Sequence, residues 1–106
     1  MKYTVRTTRG KHRLVEVEFE DGRYSLIGEM LLAERPFLNQ IIRTLNKALE
    51  NGETAVAFSG NAFSIEASCE TAIITNDIND SKAEAPTIEL KKLVKAYKNQ
   101  YGKIKR

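Results

Sequence analysis

The spacing of apolar residues changes repeatedly along this chain of 106 residues, and no other feature of the sequence limits the possible folds as much. At the start of the chain apolar and polar residues alternate, as in strands that bury one face. From residue 37 apolar residues recur every three or four positions, as on one side of a helix. The alternation returns at residues 54–76, and a second helical pattern follows Pro86. This succession predicts a single α+β domain over residues 1–106, with helices covering a sheet.

The N-terminal alternation predicts three antiparallel strands joined by two turns. A three-residue turn at residues 10–12 sets the register of the first pair. The residues opposite one another would be Val5 and Val17, Tyr3 and Phe19, Arg6 and Glu16, and Lys2 and Glu20. Asp21-Gly22 is typical of a type I′ turn and would lead into a third strand that aligns Tyr24 with Phe19.

The rest of the chain predicts a helix, three more strands and a final helix. The first helix has Pro36 in its first turn and ends at Asn51-Gly52. A two-residue turn at Gly60-Asn61 would place Phe58 beside Phe63. Residues 71–76 form a further strand, and the polar residues 76–86 form a surface loop. On the final helix, one apolar stripe contains Leu90, Leu93, Val94, Tyr97 and Tyr101. The predicted order is βββ-α-βββ-α, with about six strands in one antiparallel sheet or two.

Charge is distributed unevenly along the chain, although the net charge is only +3. Residues 1–13 contain five Lys and Arg, residues 91–106 contain seven, and neither segment contains an acid. Residues 14–90 contain all fourteen acids against five bases, a net charge of −9. The pI of about 9.1 favours nucleic-acid binding only if the positive charge collects on one surface, which folding decides.

The composition argues against several classes of protein. The sequence contains no run of about eighteen apolar residues, which is the length needed to cross a membrane. Residues 1–13 also lack the apolar segment of a secretory signal. Cys69 is the single cysteine, so neither an internal disulfide nor a sulfur-rich metal site can form. We therefore expect a cytoplasmic protein without a metal or a cofactor.

His12 and Cys69 are the side chains that could carry catalysis. His12 could act as a general acid or base beside Glu16 or Glu18, or with Cys69 as a nucleophile. Both residues also have simpler interpretations, His12 as a surface residue of a turn and Cys69 as a small buried side chain. Because no further catalytic set or phosphate-binding motif occurs, we expect a protein that is not an enzyme.

Acids without nearby bases collect in the second half of the chain. On the predicted N-terminal strands, Arg6 and Lys2 neutralise glutamates of the neighbouring strand. The later acids have only Lys82 close in sequence, and their spacing does not fit a calcium-binding loop. We predict that they dock a basic partner protein, because opposite charges speed association. The residues predicted to bind this partner are Glu66, Glu70, Asp77 and Asp80.

Part of the chain resembles a known family. The segments that carry the resemblance are LNKALENG at the end of a helix, AVAFSGNAFSIE around a turn, TAIITNDI, and TIELKKLVKAY at the start of the last helix. They lie within residues 37–101 and resemble small immunity proteins of bacterial polymorphic and contact-dependent toxin systems. The resemblance implies a non-enzymatic inhibitor that binds a cognate toxin domain, often a nuclease. The basic ends of the chain depart from the usual acidic character of that family.

The basic ends support an alternative function, that of a nucleic-acid-binding module. One basic patch would form if the N-terminal turn and the last helix lie close together. The lysines of the helix also have a simpler interpretation as its solvated face. The residues that would contact nucleic acid are Arg6, Arg9, Lys11, Arg13, Lys91, Lys92, Lys95 and Lys98. The oligomeric state does not follow from the sequence.

Overall fold

A computed structural model describes residues 1–52 and 54–104, which form an α+β fold with two antiparallel sheets and three helices. The two-stranded sheet contains β1 (Tyr3–Thr7) and β2 (Val15–Phe19). The four-stranded sheet contains, in spatial order, β3 (Val56–Ser59), β4 (Phe63–Ala67), β5 (Thr71–Asn76) and β6 (Lys82–Pro86). The helices are α1 (Ser25–Ala33), α2 (Leu38–Glu50) and α3 (Thr87–Ile104). The order is ββ-αα-ββββ-α, which corrects the predicted βββ-α-βββ-α. The last two cations of the basic C-terminal run, at positions 105–106, lie outside the described residues.

The β1–β2 hairpin has the predicted register. Val5 pairs with Val17, and Tyr3 pairs with Phe19. The two aromatic rings meet edge to face, with centroids 6.2 Å apart. Gly10 in the connecting turn has φ +127°, a conformation that favours glycine. Alternation together with a turn glycine was therefore enough to predict this pair of strands.

The predicted third strand is wrong, because the chain becomes helical after β2. Asp21 caps a short 3₁₀ turn by accepting the backbone N–H two residues later at 3.0 Å. Gly22 does not have the positive φ that a type I′ turn requires. In α1, which follows, Ile27, Met30 and Leu31 lie at helical spacing and are buried. This spacing buries one side of a helix, whereas a strand would alternate these residues between two faces.

Helix α2 has the predicted position and buries the predicted face. Pro36 lies in a 3₁₀ turn that leads into the helix. Ile41 and Leu45 are fully buried, and α2 packs on β3 and against α3. Just beyond the end of the helix, Gly52 has φ +65° and provides the left-handed stop.

The β3–β4 hairpin is shifted from its predicted register by two residues. Phe58 pairs with Ile65 instead of Phe63, and the two-residue loop is 61–62 instead of 60–61. Because side chains alternate with a period of two, an even shift keeps the same residues on the buried face.

Glu34, which lies between α1 and α2, holds this loop in its observed position. Its side chain is fully buried, and its carboxylate accepts hydrogen bonds from the backbone N–H groups of Asn61, Ala62 and Phe63 at 2.7, 2.9 and 3.0 Å. A Cβ added at Gly60 would collide with the same carboxylate. Hydrogen bonds to an ionised group are stronger than those between neutral groups, so a loop displaced along the hairpin would lose considerable stabilisation.

The predicted surface loop at residues 76–86 contains strand β6. Ala83 pairs with Ile74 and Ala85 pairs with Ala72, and all four side chains are buried. The strand was not predicted because alanine has a low β propensity and contributes little to a hydrophobic alternation.

The helices cover one face of the four-stranded sheet and leave the other face exposed. The covered face contributes Phe58, Phe63, Ile65 and Ile74 to the core. Helix α3 runs alongside β1 and parallel to it: the Met1 amino group donates to Glu89 Oε1 at 3.2 Å, and Gln100 Nε2 donates to Thr7 Oγ1 at 2.6 Å. The turn between β1 and β2 therefore lies beside the C-terminal end of α3.

Candidate binding surfaces

The exposed face of the four-stranded sheet carries two carboxylates that have no ion-pair partner among the described residues. The strand registers align Ala57, Glu66, Ile73 and Glu84 in one row across the four strands. Glu66 and Glu84 flank Ile73 and lie two strands apart, which corresponds to about 10 Å. Neither glutamate forms an ion pair with any described residue. The row combines negative charge with an apolar side chain that is only partly buried.

The loop between β5 and β6 adds an exposed apolar side chain at one end of this face. Ile78 is 83% exposed and lies between Asp77 and Asp80 in the sequence. The Ile78 N–H donates to Asn76 Oδ1 at 2.9 Å, and Ser64 Oγ donates to Asp77 Oδ1 at 2.7 Å. Asp80 has φ +62°, which aspartate adopts more readily than most residues. The loop therefore presents an isoleucine between two acids on a hydrogen-bonded backbone.

The four acids predicted to bind a partner follow this surface without forming one cluster. Asp77 and Asp80 share the β5–β6 loop, and Glu66 lies on the exposed sheet face. Glu70 lies in the turn between β4 and β5, at the other end of the six-residue strand β5, which is about 20 Å long. No ion pair among the described residues involves any of the four. Together with the neighbouring residues described above they form a surface that we call the acidic sheet surface. It consists of Glu66, Glu70, Ile73, Asp77, Ile78, Asp80 and Glu84.

Two prominent residues of this surface were not among the predicted site residues. Glu84 could have been placed beside Glu66 had the alternation of alanine with charged residues at positions 82–86 been taken as a strand. Ile78 could have been noticed as a single apolar residue within a polar stretch, a pattern typical of an exposed loop side chain.

Arg6 is neutralised by glutamates of β2, as predicted. Its Nη2 atom is 3.7 Å from Glu16 Oε2 and 3.0 Å from Glu18 Oε1, so the closer partner is the diagonal one. Lys2 lies opposite Glu20 through a backbone hydrogen bond of 3.2 Å, without a side-chain ion pair between the two described residues. Since Arg6 already has two acidic neighbours, it is a poor candidate for contacting phosphate.

The other cations predicted to contact nucleic acid do not lie together. Arg9, Lys11 and Arg13 are exposed at the β1–β2 turn. Lys95 and Lys98 lie on the flank of α3 that faces α2, whereas the flank facing β1 carries Gln100. The single basic patch that the nucleic-acid alternative requires is thus divided between the β1–β2 turn and the flank of α3 that faces α2.

Lys95 and Lys98 line a cleft of about 460 Å³ between the exposed sides of α2 and α3. We call it the basic cleft, and its lining residues are Asn39, Ile42, Arg43, Lys95, Lys98 and Asn99. Lys91 lies one turn before Lys95 on the same flank of α3, and Lys92 lies on the outer side of the helix. Arg43 was not predicted as a site residue. The sequence feature that could have indicated Arg43 is its pairing with Lys47, which lies one turn later on the polar face of α2.

The candidate catalytic side chains lie on different turns. His12 is exposed at the β1–β2 turn, and Cys69 is partly buried in the β4–β5 turn, where its N–H donates to the Gly52 carbonyl at 3.0 Å. Within residues 1–52 and 54–104, no three His, Cys, Asp or Glu side chains are grouped as metal ligands would be. Of the helices in the described part of the chain, none is both long enough and apolar enough to cross a membrane.

Two buried polar atoms, Asn46 Oδ1 and the Tyr97 hydroxyl, have no hydrogen-bond partner among the described residues. Burial raises the pKa of Tyr97 above its usual value of 10.0, the Arg35 guanidinium opposes this rise, and Tyr101 adds to it. Because Tyr97 is only 1% exposed, it belongs to the core and cannot stack on a nucleic-acid base.

The described residues therefore present two charged surfaces, the acidic sheet surface on the exposed face of the sheet and the basic cleft between helices on its covered side. Comparison of the chain with protein-family models, curated proteins and solved structures gave no significant match.

Proposed function

We propose that this chain is a non-enzymatic protein-binding module, and that it serves as an immunity protein that neutralises a cognate bacterial toxin by direct binding. The observation that carries the proposal is the exposed sheet face, where Glu66 and Glu84 have no cationic partner among the described residues. A basic protein placed on this face would supply the missing positive charges. Such complementarity raises the rate of association and selects the correct partner.

The β5–β6 loop supports the proposal with an apolar contact. Protein interfaces concentrate their binding energy in a few apolar or aromatic side chains surrounded by a polar rim. Ile78 has the exposure that such a contact needs, and Asp77 and Asp80 lie next to it. Ile78 would insert into a pocket of the toxin while the two aspartates pair with lysine or arginine at the edge of that pocket.

A nuclease is the toxin class whose charge fits this surface best. Proteins that bind nucleic acid present basic surfaces to the phosphate backbone. A protein that covers such a surface with acidic side chains would exclude the substrate without performing any chemistry. This mechanism of inhibition requires no catalytic residue in the immunity protein.

The test uses a toxin domain encoded by a neighbouring gene, with growth rescue by co-expression and association kinetics as readouts. Wild type should restore growth. A variant of the acidic sheet surface should fail to restore it, and its association rate at low salt should fall by about tenfold or more. The substitutions are Glu66→Lys, Glu70→Lys, Asp77→Lys and Asp80→Asn. Asparagine is used at position 80 because it tolerates the positive φ found there.

The matched control changes charge by the same amount on other elements, with Glu16→Lys, Glu18→Lys, Glu20→Lys and Glu29→Gln. These residues are exposed on β2, just after it, and on α1. The control variant should rescue growth as wild type does. Undiminished rescue and association by the sheet-surface variant would refute the proposed interface.

A further inference from the structure

The basic cleft carries positive charge that no described acid neutralises. Arg43, Lys95 and Lys98 are exposed, and no ion pair among the described residues includes them. Lys95 and Lys98 lie three residues apart on one flank of α3, with Cβ atoms about 5–6 Å apart. Cations held this close repel one another, and a bound polyanion would relieve that repulsion.

The positive surface continues from the basic cleft across α2 toward the edge of the sheet. A second cleft of about 580 Å³ lies between α2 and β3 and is lined by Gln40, Arg43, Thr44, Lys47, Val56 and Ala57. Arg43 borders both clefts, and no carboxylate lines either of them within the described chain. An extended polyanion could therefore cross α2 at Arg43 and remain in contact with cations on both sides.

The shape of the basic cleft favours a single strand over a duplex. The axes of packed helices lie about 8–10 Å apart, so the groove between their exposed sides is narrow. A duplex, whose major groove alone is about 12 Å wide, is too broad to settle into this groove. Asn39 and Asn99 line the same cleft, and their amides can donate to and accept from base edges. Ile42 supplies an apolar contact for a ribose or a base.

We propose that the basic cleft binds the backbone of single-stranded nucleic acid, with Arg43, Lys95 and Lys98 contacting its phosphates. The site lies on the helix-covered side of the sheet and is independent of the proposed protein-binding function. Because Tyr97 is buried and cannot act as a stacking platform, binding depends mainly on charge. It is therefore strongly salt-dependent and tolerant of base sequence.

Fluorescence anisotropy of labelled oligouridylate and oligothymidylate, titrated at a series of NaCl concentrations, tests the proposal. For single strands the logarithm of the binding constant falls with the logarithm of salt by about 0.7 per phosphate contacted, so three contacts give a slope of about −2. Both single strands should bind wild type more tightly than the corresponding duplexes do. Tighter binding of the duplexes would overturn the proposal.

Two triple variants with equal changes in charge locate the site. Arg43→Glu, Lys95→Glu and Lys98→Glu together should abolish binding or reduce the slope to near zero. The control variant, with Arg9→Glu, Lys11→Glu and Arg13→Glu at the β1–β2 turn, should retain the wild-type slope. Equal losses in the two variants would show that net charge, and not the basic cleft, governs binding.

Wild-type protein provides a readout that does not depend on the folding of a variant. Addition of oligouridylate to ¹⁵N-labelled protein should shift the amide signals of residues 39–43 and 95–99 and leave those of residues 9–13 in place. Shifts confined to residues 9–13, or a wild-type slope near zero, would overturn the proposal. So would binding of poly-glutamate at the cleft without binding of either oligonucleotide, since the occupant would then be an acidic protein.

Discussion

Glu34 shows how one buried side chain can determine the geometry of a distant hairpin. A buried carboxylate is costly unless hydrogen bonds replace its hydration. Three consecutive backbone N–H groups of the β3–β4 loop provide this replacement. The loop therefore turns where it can reach Glu34.

Glu34→Gln should lower the free energy of unfolding by about 2–3 kcal/mol. Glutamine has nearly the same size, but its side-chain NH₂ group is itself a donor. It would face a backbone N–H group of the loop and could not accept a hydrogen bond from it. Urea unfolding followed by circular dichroism measures the change. The control is Glu84→Gln on the exposed sheet face, which should change stability by less than about 0.5 kcal/mol. Similar effects of the two substitutions would contradict the role assigned to Glu34.

Tyr97→Phe should leave stability at neutral pH unchanged or raise it by up to about 1 kcal/mol, because the buried hydroxyl that it removes has no partner among the described residues. The pKa of Tyr97 is raised above 10.0 in the folded state, so folding favours the protonated phenol. This contribution is complete below pH 10.0 and is lost as the pH rises from there through the folded pKa. Wild type should therefore lose stability more steeply than Tyr97→Phe above that pH. Urea unfolding at increasing pH measures both, and parallel curves would contradict the prediction.

Among the elements, the segment after β2 shows that a helix can override a strong turn dipeptide. Asp21-Gly22 usually favours a tight hairpin. Here Asp21 caps a 3₁₀ turn, and the apolar residues that follow bury one side of α1 in the core. Burial of a complete helical face outweighs the preference of two turn residues.

Substitution of two glycines distinguishes the 3₁₀ turn from a type I′ hairpin. Gly22→Ala should be neutral or stabilise the fold by up to about 1 kcal/mol, because Gly22 lacks a positive φ and a Cβ added there would meet no other atom within 4 Å. Gly52→Ala should destabilise the fold by about 1 kcal/mol or more, since Gly52 has φ +65°. Thermal unfolding of both variants measures the difference. A cost at Gly22 equal to that at Gly52 would indicate the hairpin instead.

Helix α3 presents different kinds of side chain on its different sides. Leu93 and Val94 form part of its buried stripe, and Gln100 on one flank contacts β1. The flank facing α2 carries Lys95 and Lys98 in the basic cleft. Because successive residues of a helix point in different directions, the lysines of α3 do not share one side of the helix. Lys95 and Lys98 face Arg43 across the basic cleft.

Across the whole molecule, the net charge of +3 conceals two surfaces of opposite sign. The acidic sheet surface lies on the exposed side of the four-stranded sheet, and the basic cleft lies among the helices on its covered side. Because the sheet and its helical layer separate the two surfaces, the two proposed partners would bind on opposite sides of the sheet.

The two surfaces should respond independently to substitution. The sheet-surface variant should bind oligouridylate at least as tightly as wild type, because it has lost negative charge. The variant with glutamate at positions 43, 95 and 98 should still rescue growth in the presence of the toxin. Anisotropy at a fixed salt concentration and the co-expression assay measure these outcomes. Loss of oligonucleotide binding in the sheet-surface variant would show that the surfaces are coupled.

Local patterns in the sequence by themselves determined the register of β1–β2, the position of α2, strand β5 and the buried stripe of α3. Each depends on residues near one another in the chain, through alternation, helical spacing or a turn glycine. The charge excess of the two ends and of the middle was likewise readable from the sequence. The four predicted acids do lie on an exposed surface.

Only the tertiary structure decided the β3–β4 register, the pairing of β6 and the composition of the basic cleft. These features depend on contacts between residues distant in sequence: Glu34 with the loop at residues 61–63, Ala83 with Ile74, and Arg43 with the lysines of α3. The hydrogen bonds, burial and shared cleft that join such residues arise only when the elements pack together, so no local periodicity contains them.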